Sequence, residues 1–357
     1  MKINKRVLTH AILWPVVAIA SIVAGFIIYS ELTDYKPALV ENILASGEGQ
    51  HNAVPTDTSL VFYTWNIGYC GLGKEMDFVY EGGKMVRPTK ELAKKYREGV
   101  VYQLTTLDRP DFILLQEVDS LAKRSYNDNQ CKRIALSFPQ FTSAYAINHN
   151  VKYFPLPLFH ALGKVVSGQL SLSRYQPEES VRYAYPSSYR WPKSLFMPHR
   201  CFILSCFKTT NGKQLILINL HNSASDDALK MREKEMNPLK DLMIKEFAKG
   251  NYVIAGGDWN QNPLPFDSTS VIKENQAYCI RPGIAEHFLP ANWEWAYDPD
   301  VPTNRNVDKP YHKGQTPVTT LDFFVLSPNI ELRFVQTIES GFNYSDHQPV
   351  GMVVKLK

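Results

Sequence analysis

Seven short apolar runs punctuate the chain: LVFYTW (60–65), DFILLQ (111–116), CFILSCF (201–207), QLILINL (214–220), YVIAGG (252–257), DFFVLS (322–327) and PVGMVVKL (349–356). Their length and their β-branched and aromatic content predict strands rather than helices. Helix-like segments lie between some of them, at 89–107 and 226–249. The second follows the capping cluster Ser225-Asp226-Asp227 and stops at Gly250, a good start and a good end for a helix. Many strands with a few long helices predict sheets packed together and covered by helices. The stretch 154–198, rich in Pro, Tyr and Ser, is predicted to be loops over one face.

The N-terminus has a different pattern. MKINKR carries three positive charges, and residues 11–29 (AILWPVVAIASIVAGFIIY) carry none. As a helix that stretch spans about 28 Å, close to the hydrocarbon thickness of a bilayer. The basic residues precede it, while Glu31, Asp34 and Glu41 follow. The expected arrangement is a single-pass anchor with a cytoplasmic N-terminus and the rest of the chain outside the cytoplasm, periplasmic or extracellular. A cleaved signal peptide is the alternative, with Ala18-Ile19-Ala20 as the small-residue site. Cleavage there would leave IVAGFIIY exposed at the new terminus, which favours a retained anchor. Residues 1–30 are therefore read as cytoplasmic tip and anchor, 31–59 as a polar tether, and 60–357 as one domain.

Composition narrows the function classes. The 357 residues are 44% hydrophobic and 21% charged, a globular balance. Lys and Arg total 39 against 35 Asp and Glu, net +4. That lacks the concentrated basic field of a dedicated nucleic-acid binder. None of the five cysteines forms a C-x-x-C pair, so zinc ribbons and thioredoxin-type motifs are unsupported. Cys201 and Cys206 are expected to be buried thiols, and a Cys70–Cys131 disulfide is left open by spacing.

The chemistry lies where the runs stop. LVFYTW runs into Asn66, DFILLQ into Glu117, QLILINL into His221, and YVIAGG into Asp258 with Asn260 two residues on. Asp322 opens DFFVLS, and Ser345-Asp346-His347 precedes the last run. If the last two strands run antiparallel to the others, all these groups meet at one sheet edge. Clustered carboxylates repel, and a hard divalent cation relieves them. Asn66, Glu117, Asp258, Asn260 and Asp346 offer oxygens for Mg²⁺, with Mn²⁺ as the alternative ion. His221 and His347 offer donors to a phosphoryl oxygen, and Asp322 can orient a histidine. The set suits metal-assisted attack of water on phosphorus. Any one piece alone has a blander reading, as a turn Asn or a structural His.

The joint order resembles the endonuclease/exonuclease/phosphatase superfamily, with the deoxyribonuclease-I-like fold. The matching blocks are TWNIG (64–68), LLQEV (114–118), SGQLSLSRY (167–175), INLHNSASDDA (218–228), GGDWNQNP (256–263), LDFFVLS (321–327) and SDHQPVG (345–351). The resemblance implies a four-layer α/β (α+β) sandwich, with two mostly antiparallel β-sheets flanked by helices. It implies Asn66 and Glu117 on the metal with Asp346 nearby, and Asp258 and Asn260 aligning water and phosphate. His221 and His347 would stabilise phosphoryl oxygens or serve the leaving group, and Asp322 would pair with His347. One departure is the long glycine-rich loop after Asn66. It is expected either to vary as plain surface or to form a substrate-selecting flap with Lys74, Lys84 and Arg87. The expected activity is hydrolysis of a phosphodiester or phosphomonoester near the membrane, with a lipid headgroup or inositol phosphate as substrate. An extracytoplasmic DNase or RNase is the alternative, a non-catalytic binding protein the third reading. No protein partner is inferred.

Overall fold

The computed structural model describes residues 5–186, 189–224, 229–266 and 284–357 of the chain. The elements run as α1 (Lys5–Leu32), β1 (Val40–Asn42), β2 (Ser46–Gly47), β3 (Ser59–Asn66), α2 (Lys90–Thr105), β4 (Phe112–Asp119), α3 (Gln130–Ser137) and β5 (Thr142–Phe154). They continue as β6 (Gly163–Ser173), β7 (Glu179–Ala184), β8 (Cys201–Lys208), β9 (Gln214–His221), α4 (Leu229–Ala248), β10 (Tyr252–Asp258) and β11 (Glu294–Ala296). The last are β12 (Asn304–Arg305), β13 (Val318–Thr319), β14 (Asp322–Leu326), β15 (Ile330–Thr337) and β16 (Val350–Leu356).

Two sheets form, in the orders β1-β7-β8-β9-β10-β14-β11 and β15-β16-β3-β4-β6-β5-β2, with a β12–β13 ribbon beside them. Within them β3–β4 and β9–β10 are parallel pairs, and the remaining pairs are antiparallel. All seven apolar runs are strands. They read as continuous rather than alternating because both of their faces are covered. Along β9, Leu215 and Leu217 enter the cluster between the sheets, while Ile216, Ile218 and Leu220 enter a second cluster under α4. Along β4, Phe112 and Leu114 point inward, and Ile113 and Leu115 pack with Tyr96 and Val100 of α2 and Ile134 of α3. The result is the four-layer α/β/β/α sandwich with one apolar helix ahead of it.

Two expectations change and one open pairing is resolved. The stretch 154–198 carries β6 and β7 and is not all loop. Its small and polar residues hid strands that are held by neighbours on both sides. The polar stretch 31–59 is not an open tether. Asp34 lies 3.7 Å from His199, β1 adds to β7, and β2 adds to β5. Val54 is fully buried between the sheets, worth ~1.5–3 kcal/mol by area burial. Cys70 and Cys131 are free thiols, so no bridge joins them; Cys201 and Cys206 are free and buried. Cys279 and the Ser225–Asp227 cap lie outside the described residues. Helix α2 matches the predicted segment closely, with the Thr89 hydroxyl accepting from Leu92 N.

Candidate active site

The phase of the strands builds the site. On β3, β9 and β10 the inward series ends in Asn66, His221 and Asp258, and on the antiparallel β14 it begins with Asp322, so all four stand at one end of the inward apolar positions. The inter-sheet core therefore becomes polar at one end of the sandwich. Asp258 faces His221 across the parallel β9–β10 pair and Asp322 across the antiparallel β10–β14 pair. The antiparallel arrangement expected of the last two strands is present, and it brings Asp346 and His347 to the same end.

A buried polar layer supports these groups. Gln116 Nε2 donates to Asn219 Oδ1 at 2.8 Å and to Thr64 Oγ1 at 3.2 Å, joining the two sheets. Asn219 Nδ2 donates in turn to Leu115 O, Leu170 O and Ser171 Oγ. Beyond Gln116 the β4 register shifts opposite β6, and Glu117 has φ +54°. This bulge re-aims the Glu117 carboxylate into the cleft, at the cost of a left-handed backbone. Gly68, also left-handed, is needed for closeness: an added Cβ would lie 2.7 Å from Asp346 Oδ1.

The candidate side chains form one connected set. Asn66 Nδ2 donates to Asp258 Oδ2 at 3.0 Å and to Glu117 Oε1 at 3.4 Å, while Asn66 Oδ1 accepts from Gly68 N. Asn260 N donates to Asp258 Oδ1 at 2.9 Å, and the Asn260 amide donates to Asn222 O. His221 Nε2 stands 3.4 Å from Asp258 and 3.9 Å from Glu117. His347 Nδ1 is bound to Asp322 Oδ2 at 2.7 Å, and its Nε2 lies 3.8 Å from Asp258. The structure thus brings all eight sequence-predicted residues to one end of the sandwich: Glu117, His221, Asp258, Asn260, Asp346 and His347 line the cleft, while Asn66 and Asp322 are buried beside it, bonded to Asp258 and His347.

Burial sets the charge states. It works against protonated His347, but Asp322 and Asp258 overcome it and hold the imidazole up at about 10. Burial, with Arg200 and His347 nearby, pushes His221 well below its ordinary value. The two histidines of one cleft are therefore pushed in opposite directions. Burial also raises Asp258, with Asp322 adding to the rise. Asp346 is pushed up to about 6, by burial first and by the charge of Glu117 as well.

That Glu117–Asp346 repulsion is what a hard dication relieves, and Asn66 Oδ1 keeps a second lone pair for it. These three residues fit a divalent metal. Asp258, Asp322 and His347 also bring ligand atoms within 4.8 Å of one another. Both nitrogens of that imidazole are already engaged, Nδ1 by Asp322 Oδ2 at 2.7 Å and Nε2 by the Asn304 amide at 2.9 Å.

The cleft, about 510 Å³, is also lined by Tyr69, Phe78, Tyr80, Arg124, Tyr189 and Arg200. The loop after Asn66 does border it, through Tyr69, Phe78 and Tyr80. Its expected cations do not: Lys84 and Arg87 line a separate depression with Tyr126 and His160. Arg124 and Arg200 were not singled out in the sequence. Arg124 lies 3.7 Å over the Tyr69 ring and forks onto Asp119. Neither follows a strand-end carboxylate or amide, so their arrival depends on tertiary packing. Asn222 and Tyr185, which bond each other behind Asn260, were likewise hidden, although Asn222 adjoins His221.

No family model matches the chain, and no curated protein sequence matches it. Solved structures do. An endonuclease/exonuclease/phosphatase from Beutenbergia cavernae superposes with a TM-score of 0.57 at 15% identity, over 84% of this chain and 72% of its own. One from Bacteroides vulgatus gives 0.53 at 15% identity, over 84% and 100%. The human Nocturnin catalytic domain, solved with bound sulfate anion, gives 0.50 at 17% identity, over 88% and 98%. The chain has the endonuclease/exonuclease/phosphatase fold.

Proposed function

We propose, starting from that fold and the strand-end cluster, that this chain is a metal-dependent hydrolase of phosphoester bonds. One observation carries the reading: Asn66, Glu117, His221, Asp258, Asp322 and His347 interlock at the polar end of the inter-sheet core. Mg²⁺ fits the oxygen donors of Glu117, Asp346 and Asn66, and when bound it supplies charge neutralisation to the phosphoryl oxygens. Asp258 is the base that orients and deprotonates the attacking water, itself positioned by the Asn66 amide and Asn260 N–H. His347, kept protonated by Asp322, donates to the phosphoryl or leaving-group oxygen. His221 stays neutral and presents an N–H beside Asp258. Arg200 at the wall offers a fork to phosphate.

The substrate class is proposed as a lipid headgroup phosphoester or an inositol-type phosphate, with the domain anchored outside the cytoplasm by α1. Helix α1 contains a 23-residue apolar span, His10–Leu32, long enough to cross a bilayer. The weak net charge of +4 favours a small headgroup over long nucleic acid. A panel of a phosphosphingolipid, an inositol phosphate and a nucleic acid, assayed with Mg²⁺ and with chelator, tests the reading. Hydrolysis of nucleic acid alone, with affinity falling steeply in salt, would establish the nuclease instead. Hydrolysis that survives Asp258→Ala in folded protein would remove Asp258 from the mechanism.

A further inference from the structure

The apolar helix does not end in open solvent. Its last turns are covered by the domain. Phe26 stacks on Phe196 at 5.7 Å and meets Tyr153 edge-on at 6.2 Å. Ser30 is buried, and Trp191 Nε1 donates to Glu31. Tyr35 lies edge-on to His199 at 6.0 Å. No slack separates helix from domain. Phe26 sits three residues before the end of the uncharged stretch, about 4.5 Å along the helix. If that stretch fills the bilayer, Phe196 and Tyr153 must sit at the level where acyl chains meet headgroups.

Those contacts lie at the edge of an exposed apolar surface. Leu156 is 48% exposed, Leu158 75%, Phe159 94% and Trp191 63%. Large apolar groups clustered this way mark an interaction surface. The second segment carries Arg190 and Lys193, and Lys152 directly precedes the first, suited to anionic headgroups as aromatic and basic residues are at membrane interfaces. They also reach the cleft. Phe196 touches Phe154, Phe154 touches Tyr80, and the Tyr80 hydroxyl donates to Leu156 O. Tyr80, Tyr189 and Met197 line the cleft itself.

We infer that the 153–159 and 189–196 segments form a docking surface for the lipid bilayer, with Leu158 and Phe159 inserted among the acyl chains. It rests on the anchored reading of α1 and places the cleft mouth at headgroup level. A phosphoester carried by a lipid then enters past Tyr80 and Tyr189 without leaving its membrane.

The test uses the full chain, reconstituted into phosphatidylcholine–phosphatidylglycerol vesicles brominated on their acyl chains. Phe159→Trp and, separately, Leu158→Trp supply reporters at exposed positions that tolerate the change. Phe334→Trp is the control: Phe334 is 52% exposed on β15, five strands from β5 in its sheet, or about 24 Å. Insertion predicts that brominated lipid quenches more than about half of the emission added at 159 or 158, and less than about a tenth of that added at 334. Vesicle-bound protein with reporters at 158 and 159 no more quenched than the one at 334 overturns the surface while leaving the anchor standing. Protein that fails to float with vesicles overturns both. Neither readout requires hydrolysis, so failure of the phosphoesterase reading is registered separately, by Asp258→Ala.

Discussion

The floor of the cleft and its rim are built on different principles. On the floor, Asn66, His221, Asp258 and Asp322 are almost fully buried on strand ends; Asn66 is bonded to Asp258 and Asp322 to His347, and His221 stands 3.4 Å from Asp258. At the rim, Tyr80, Tyr189 and Arg200 are partly exposed, on loops or next to them. The floor's geometry is dictated by sheet registers that cannot slip without turning whole strands inside out. The rim's geometry depends on a run of aromatic contacts from Phe26 through Phe196, Phe154 and Tyr80. Precise placement of a few polar atoms belongs to the floor, and on the proposed function the choice of what reaches them belongs to the rim.

The sharpest way to break this contrast is at the floor. Asp258→Asn keeps the shape and the Asn66 contact but removes the proposed base. Turnover of any accepted phosphoester should fall by about 10³-fold or more, with little change in KM. Chelation should abolish turnover and added Mg²⁺ restore it, while the unfolding midpoint shows whether the ion also stabilises the fold. One layer deeper, Gln116→Leu leaves Asn219 Oδ1 and Thr64 without their donor. It should cost roughly 1–3 kcal/mol in urea unfolding, with a smaller loss of turnover.

The rim should respond to acid. Burial pushes His149 down to about 3, and its Nε2 lies 3.0 Å from Phe196 O, under the turn that meets α1. The unfolded chain takes up this proton near 6.5, whereas the folded chain does so only near 3. Stability is therefore complete above about 6.5 and declines as pH falls through that window, by about 1.4 kcal/mol per unit. His149→Gln should flatten the acid limb of a denaturant-midpoint titration between those values. The smallest effect is expected from Lys84→Ala with Arg87→Ala: both side chains lie outside the cleft, so kcat/KM should stay within about twofold. A tenfold loss would put the flap cations back into substrate recognition.

The floor was far more legible than the rim. A strand covered on both faces has to be mostly apolar at successive positions, so Asn66, His221 and Asp258 stood out as the polar groups that close long runs. The bulge at Glu117 was not legible, because nothing local requires φ to turn positive there. Nor were β5, β6 and β7, whose small and polar residues become strands only through their neighbours. Arg124 and Arg200 are legible only as charges, since it is folding that brings them to one wall.

The sequence by itself determined the apolar N-terminal helix, the seven core strands and the identities of the strand-end groups, because burial and period leave those residues no other economical place. Tertiary structure alone decided that residues 31–59 fold onto the domain, that burial and charged neighbours push His347 and His221 in opposite directions, and that the exposed apolar surface adjoins both helix and cleft. Those outcomes depend on distances between segments far apart in the chain, and no local pattern encodes a distance of that kind.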